Sequence, residues 1–356
     1  MNIPGLLNEI AAGGRRMTDD EFRLLYAGAD LMDLARAATT VRDRLHPDLI
    51  TFIIDRNINF TNICTCACKF CAFFRPKGHA EAYLLTNQEI LDRVRSAVEQ
   101  DATQVMLQGG LNPALGIDYF EQLFHLIKTE FPQVTIHSLS PPEIQHIAAV
   151  SEITTPEVLA RLKQAGLDSL PGGGAEVLDD EVRHAISPSK VKSSTWLRIM
   201  EEAHAIGLET TATMMMGSID RAEHRLAHLR RIRELQDRSG GFRAFIMWSY
   251  QPGNNELMGF KVSSMEYLRM LALSRLYLDN ISHIQGSWLT QGPDVGQVTL
   301  LFGADDLGSI MLEENVVRAA GLHHRMTVEG MVSLIKEAGK RPAQRDTEYR
   351  VIRLFD

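Results

Sequence analysis

The sequence predicts an α/β protein, a (β/α)8 barrel of the TIM type with a helical layer before it and a helical strap after it. Two observations carry this. From Ile50 onward, short apolar segments alternate with amphipathic helical periods, and the segments are continuous in hydrophobicity, as strands buried on both faces of a parallel sheet are. Eight such segments can be counted, the number that closes a barrel.

Residues 1–49 form the helical layer. Thr18 is an N-cap followed by Asp19, Asp20 and Glu21 in a first turn, with Phe22, Leu24, Leu25 and Ala29 as an apolar face. A second amphipathic run, Leu31 to Leu45, ends at His46-Pro47, and the layer is expected to cover one end of the barrel. The barrel spans residues 50–320. Its strand candidates are 50–54, 105–107, 134–137, 167–170, 210–216, 245–248, 284–288 and 309–312, rich in β-branched and apolar residues. Between them lie one-sided helical periods such as Ile90, Leu91, Val94, Ala97 and Val98, or Phe120, Leu123, Phe124 and Ile127. Thr155-Pro156 opens another helix and Gly166 closes it. Residues 321–356 carry an amphipathic helix from Thr327 to about Ala338 and a tail with Arg341, Arg345 and Arg350. That tail reads either as a solvated strap or as a set of arginines closing over an anionic substrate.

A chain of 356 residues suits one catalytic domain of this type. Its formal net charge of -8, with both signs mixed along the chain, lacks the basic footprint of a nucleic-acid binder, so a small-molecule substrate is expected. No apolar run is long enough to span a bilayer and no signal-peptide pattern opens the chain, which points to the cytoplasm, where thiols stay reduced.

All four cysteines fall within Cys64-Thr65-Cys66-Ala67-Cys68-Lys69-Phe70-Cys71. Cys64, Cys68 and Cys71 have the spacing C-x3-C-x2-C, and Cys66 is an extra thiol. Thiolates so close together suit an iron–sulfur cluster, zinc or copper(I). Zinc with Cys66 as fourth ligand would make the protein a zinc-stabilised binding module. Zinc sites, however, draw ligand pairs from separate turns, whereas alternate cysteines in eight residues point in conflicting directions. The cysteine loop, Gln108-Gly109-Gly110, Pro171-Gly172-Gly173-Gly174 and Met216-Gly217 all follow strand candidates, the rim where barrel active sites form. Glycines there let the backbone approach a ligand.

The cysteine spacing, with Phe70 before the last cysteine, resembles the radical-SAM superfamily. The resemblance implies a [4Fe-4S] cluster held by Cys64, Cys68 and Cys71, one iron left open for S-adenosyl-L-methionine, and a 5′-deoxyadenosyl radical formed when the cluster reduces it. Segments 59–64, 71–79, 108–113, 171–176, 235–237, 278–280 and 302–306 are similar to the branch that serves menaquinone biosynthesis by the futalosine route. That branch has two sister families, the aminofutalosine synthases and the dehypoxanthine futalosine cyclases. Segments 108–113, 140–143, 248–254 and 287–292 resemble the cyclases. For that family the radical removes the ribose C4′ hydrogen of dehypoxanthine futalosine, the carbon radical adds to the benzoate ring, and loss of an electron and a proton restores aromaticity. A flavodoxin or ferredoxin is the implied electron donor.

Residue roles follow from the resemblance. Phe70 seats adenine, Gln108, Gly109 and Gly110 receive the methionyl amino group, and Glu176 binds a polar or cationic part of the cofactor, since a buried carboxylate is costly unless paired. Thr211 and Thr213 line the barrel interior. The base that completes ring closure has four candidates, Glu143, His146, Asp279 and His283. The substrate carboxylate is expected to meet Arg75, Ser140 or Tyr250.

Overall fold

The computed structural model describes residues 2–257 and 259–355. Three helices, Ile3–Ala11, Asp19–Gly28 and Leu31–Leu45, precede the first strand, and a reciprocal capping box between Thr18 and Glu21 starts the second of them as expected. They pack on the outer helices Ala222–Ser239 and Ser264–Tyr277. Covered in this way, Ser264–Tyr277 is buried along almost all of its last three turns. The layer also reaches the amino ends of the strands: Arg16 pairs with Asp237 and Asp279, and Arg42 donates to the carbonyls of Leu300 and Ala304.

Ten strands follow among the described residues: β1 (Leu49–Ile53), β2 (Asp55–Ile58), β3 (Gln104–Leu107), β4 (Thr135–Ser138), β5 (Thr210–Met216), β6 (Phe242–Ser249), β7 (His283–Gln285), β8 (Asp306–Ser309), β9 (Arg341–Arg345) and β10 (Val351–Leu354). The pairing runs β2-β3-β4 in one sheet and β1-β8-β7-β6-β5 in the other, all parallel. Two joins close the ring. β1 and β2 are consecutive segments interrupted at Ile54, and residues 169–170 bridge β4 to β5 through Ser169 with His137 and Leu170 with Thr210. The result is the expected eight-membered barrel, with 167–170 contributing bridges in place of a full strand.

Two of the expected strands are displaced for one physical reason. The cysteine loop follows β2, not the apolar segment 50–54, and β8 begins at Asp306, not Ser309. In both, polar residues face the barrel interior: Asp55 and Asn57 of β2 line a central cavity, and Asp306 of β8 is fully buried. Polar groups turned into the barrel interior reverse the pattern by which buried strands are read from sequence.

The last segment departs most from the expectation. The helix is present at Val328–Glu337, but the tail is neither a solvated strap nor a lid. β9 adds parallel to β1, β10 returns antiparallel, and the turn between them enters the amino end of the barrel. There Arg345 forms a buried pair with Asp306, Thr347 donates to Gln104, and Tyr349 stacks on His283 at 3.7 Å. This hairpin floors the barrel. Of the other two tail arginines, Arg341 is exposed and Arg350 pairs with Asp346 and Glu348.

Candidate active site

A cavity of about 330 Å³ runs down the barrel axis from the cysteine loop to the floor hairpin. Cys71, Phe70 and Ala72 line its mouth, Glu176, Thr211, Thr213, Gln108 and Tyr250 its walls, and His137, Arg243, Arg345 and Tyr349 its floor.

The cysteine loop is held by its neighbours. Its first residues receive backbone bonds from and to Arg75, and Thr65 donates to the Leu111 carbonyl at 3.1 Å. Gly110 lies so close beneath that a Cβ there would stand 2.2 Å from the Ile63 carbonyl oxygen and 2.8 Å from Cys64 Cβ. Only glycine allows this approach. The Gln108–Asn112 loop is in turn braced from outside the cavity. Glu143 accepts the Gly109 N–H at 3.2 Å and the Ser140 hydroxyl at 2.6 Å, and His146 Nε2 bonds the Asn112 carbonyl at 3.0 Å. Burial pushes the Glu143 carboxyl up to about 7.

Cys64 and Cys71 are half-buried, whereas Cys66 and Cys68 are buried with their sulfurs 3.6 Å apart. The hydrogen bond between the two thiols draws Cys68 down to about 6 and pushes Cys66 up.

The glycine-rich segment after residue 170 forms the opposite wall. Thr213 donates to the Gly172 carbonyl at 2.6 Å and Gly172 N–H donates to Thr211 at 3.0 Å, so these threonines position the loop as well as line the cavity. Arg183 donates to the carbonyls of Gly174, Ala175 and Val191, and Trp196 to that of Gly173. The segment delivers Glu176 in a left-handed conformation, φ 41°. Lys190 Nζ donates to Glu176 Oε1 at 2.7 Å and sits 5.2 Å from the Phe70 ring centre. Glu176 Oε2 is buried without a protein partner.

A family model described as the Radical SAM superfamily matches residues 58–232, and one described as the CofH/MqnC C-terminal region matches 239–355. The cyclic dehypoxanthine futalosine synthase of Streptomyces coelicolor is 49% identical over 100% of this chain and 90% of its own. That of Halalkalibacterium halodurans is 43% identical over 100% of this chain and 96% of its own. This chain belongs to the radical SAM superfamily. Its fold agrees: the crystal structure of methylornithine synthase, only 20% identical, superposes with a TM-score of 0.75 over 95% of this chain and 97% of that one.

Radical SAM enzymes carry a [4Fe-4S] cluster and S-adenosyl-L-methionine, and the residues present fit both. Three cysteines in the superfamily spacing sit on the carboxyl-end rim of the barrel, beside glycine backbone with no room for a side chain. The unpartnered Glu176 oxygen is a buried acceptor that asks for a donor, such as a cofactor hydroxyl or ammonium.

Other candidates fall elsewhere. Asp279 and His283, expected as bases by their strand-end positions, flank the amino end of β7, away from the carboxyl-end rim. Asp279 pairs with Arg16, and His283 bonds Asp305 at 2.6 Å beneath the floor. Glu143, His146 and Ser140 stand behind the Gln108–Asn112 loop, outside the main cavity. Arg75 braces the cysteine loop through the Ala72 and Phe74 carbonyls and pairs with Glu81. Tyr250 lines the cavity, with its hydroxyl engaged by Asn255 and the Leu257 carbonyl. Lys190 and Arg243 were missed. Each is a lone cation without motif spacing, Lys190 in a Ser-Pro-Ser-Lys loop and Arg243 just before the apolar run expected as a strand.

Proposed function

We propose that this enzyme converts dehypoxanthine futalosine to cyclic dehypoxanthine futalosine in menaquinone biosynthesis, joining the ribose C4′ to the benzoate ring. The observation that carries the reading is the identity of 49% and 43% with two cyclic dehypoxanthine futalosine synthases, each match taking in the whole of this chain. When bound, the cluster and S-adenosyl-L-methionine supply a 5′-deoxyadenosyl radical.

The chain supplies position and exclusion. Cys64, Cys68 and Cys71 hold the cluster, while Phe70 and the Lys190-oriented Glu176 hold the nucleoside cofactor at the mouth. The substrate then occupies the cavity below, closed beneath by the Arg345 and Tyr349 hairpin. That arrangement keeps ribose and arene in near-attack geometry and keeps out water and other hydrogen donors. Restoring aromaticity after ring closure also releases a proton and one electron, and the electron would return to the iron–sulfur cluster or its redox partner. Asp55 and Glu314 are carboxyls in the cavity wall that burial raises, which suits them to receive the proton. The reductant is a flavodoxin or ferredoxin.

Reduced, reconstituted enzyme tests the reading against aminofutalosine synthase chemistry. With dehypoxanthine futalosine it should release one 5′-deoxyadenosine per product formed. A product that contains the adenosyl group would overturn it.

A further inference from the structure

The barrel buries several guanidinium groups, and nearly all are compensated. Arg345 pairs with Asp306, Arg275 with Asp305 and Arg225 with Asp220, and Arg183 is satisfied by three backbone carbonyls. Arg243 is different. It is the second residue of β6, on the cavity floor, and among the described residues it has no carboxylate within ion-pair distance.

Its neighbours explain how it is held. Ser169 Oγ donates to the Glu209 carbonyl at 2.9 Å, so its hydrogen is committed and its lone pairs can accept. Arg243 Nη2 donates to that oxygen, and His137 Nδ1 lies 2.8 Å from it. Among the described residues, Nε and Nη1 of Arg243 have no protein acceptor. His137 adds no second charge, because burial and the nearby Arg243 and Arg345 keep it neutral. A half-buried cation whose unused donors face a cavity is costly in isolation and favourable once an anion arrives.

The geometry points to Arg243 as the anchor for the substrate's aromatic carboxylate, which its unused N–H donors would receive at the cavity floor. The inference rests on the proposed reaction, whose substrate is a benzoate. It also orients that substrate: the carboxylate goes deep and the ribose goes toward the mouth, where Cys71, Phe70 and Glu176 lie. A planar fork suits a carboxylate better than a point charge does.

The test is calorimetric titration of the reconstituted enzyme with its cofactor and without reductant, so that binding occurs without turnover. The probes are dehypoxanthine futalosine and its analogue with hydrogen in place of the carboxylate. Wild type should prefer the carboxylate form by about 100-fold, and Arg243→Gln should lose that preference while binding the analogue as before. Should Arg243→Gln fail to load iron, Arg243→Lys carries the test, with the preference reduced at least about tenfold because the fork is lost. An unchanged preference in the variant overturns the anchor. Addition of reductant separates the two ideas: wild type that cyclises the substrate while the variant keeps the preference refutes only Arg243, whereas wild type that neither binds nor cyclises it refutes the reaction as well.

Discussion

Lys190 Nζ lies 2.7 Å from Glu176 Oε1, and Glu176 Oε2 is buried with no protein partner. One oxygen is neutralised by the protein and the other is left for a ligand, so the two ends of the carboxylate have separable functions. Glu176→Gln keeps the shape and removes the charge. It should weaken S-adenosyl-L-methionine binding at least about tenfold in a calorimetric titration, through loss of a charge-assisted hydrogen bond. Lys190→Met leaves Glu176 buried and unpaired and should cost about 3–5 kcal/mol in urea unfolding. Cofactor affinity of Glu176→Gln within twofold of wild type would remove Glu176 from the site.

Glu143 makes stability depend on pH. Its carboxyl titrates at about 7 in the folded protein, against an ordinary 4.5, because burial opposes its charge. Between those values the native state holds a proton that the unfolded chain has lost. Stability from this group is therefore complete below about pH 4.5 and lost as pH rises through 7, by about 3 kcal/mol. Glu143→Gln should flatten that part of the profile in denaturant unfolding between pH 5.5 and 8. A wild-type profile that rises over this range relative to Glu143→Gln would reverse the assignment.

The floor hairpin makes an asymmetric prediction about its arginines. Arg345→Met strands the fully buried Asp306 and should destabilise by about 3–5 kcal/mol, seen as a lowered Tm. Arg350→Ala removes only exposed pairs with Asp346 and Glu348, and its Tm should match wild type. Equal effects from the two would mean that Arg345 is not sealing the barrel.

Cys66 lies beside Cys68 but outside the C-x3-C-x2-C set. Cys66→Ala should load four irons per chain and give the reduced-cluster EPR signal, whereas alanine at Cys64, Cys68 or Cys71 should lose both. Full loading of Cys68→Ala together with loss in Cys66→Ala would exchange their roles.

What could be read from the chain before its structure divides along a physical line. Helices such as Asp19–Gly28 and strands such as β5 were legible because an apolar face or run marks them. The cysteine and glycine segments were legible because few other residues can bind iron or approach a ligand so closely. β2, β8 and the floor hairpin were not, because Asp55, Asn57, Asp306, Arg345 and Tyr349 place polar groups inside the barrel, where a core pattern predicts apolar ones. Lys190 and Arg243 were hidden for a related reason: a lone cation in sequence looks solvated until its buried partner, or the lack of one, is seen. Asp279 and His283 show the reverse error, since proximity to a strand did not say which end of the barrel they occupy.

The central claim is an intramolecular ring closure, and mass analysis of the product tests it most directly. Anaerobic enzyme given S-adenosyl-L-methionine, reductant and dehypoxanthine futalosine should yield a product two hydrogens lighter than its substrate, with free 5′-deoxyadenosine in equal amount. Unchanged substrate mass from cluster-loaded enzyme that cleaves its cofactor, or a product enlarged by an adenosyl group, would contradict it.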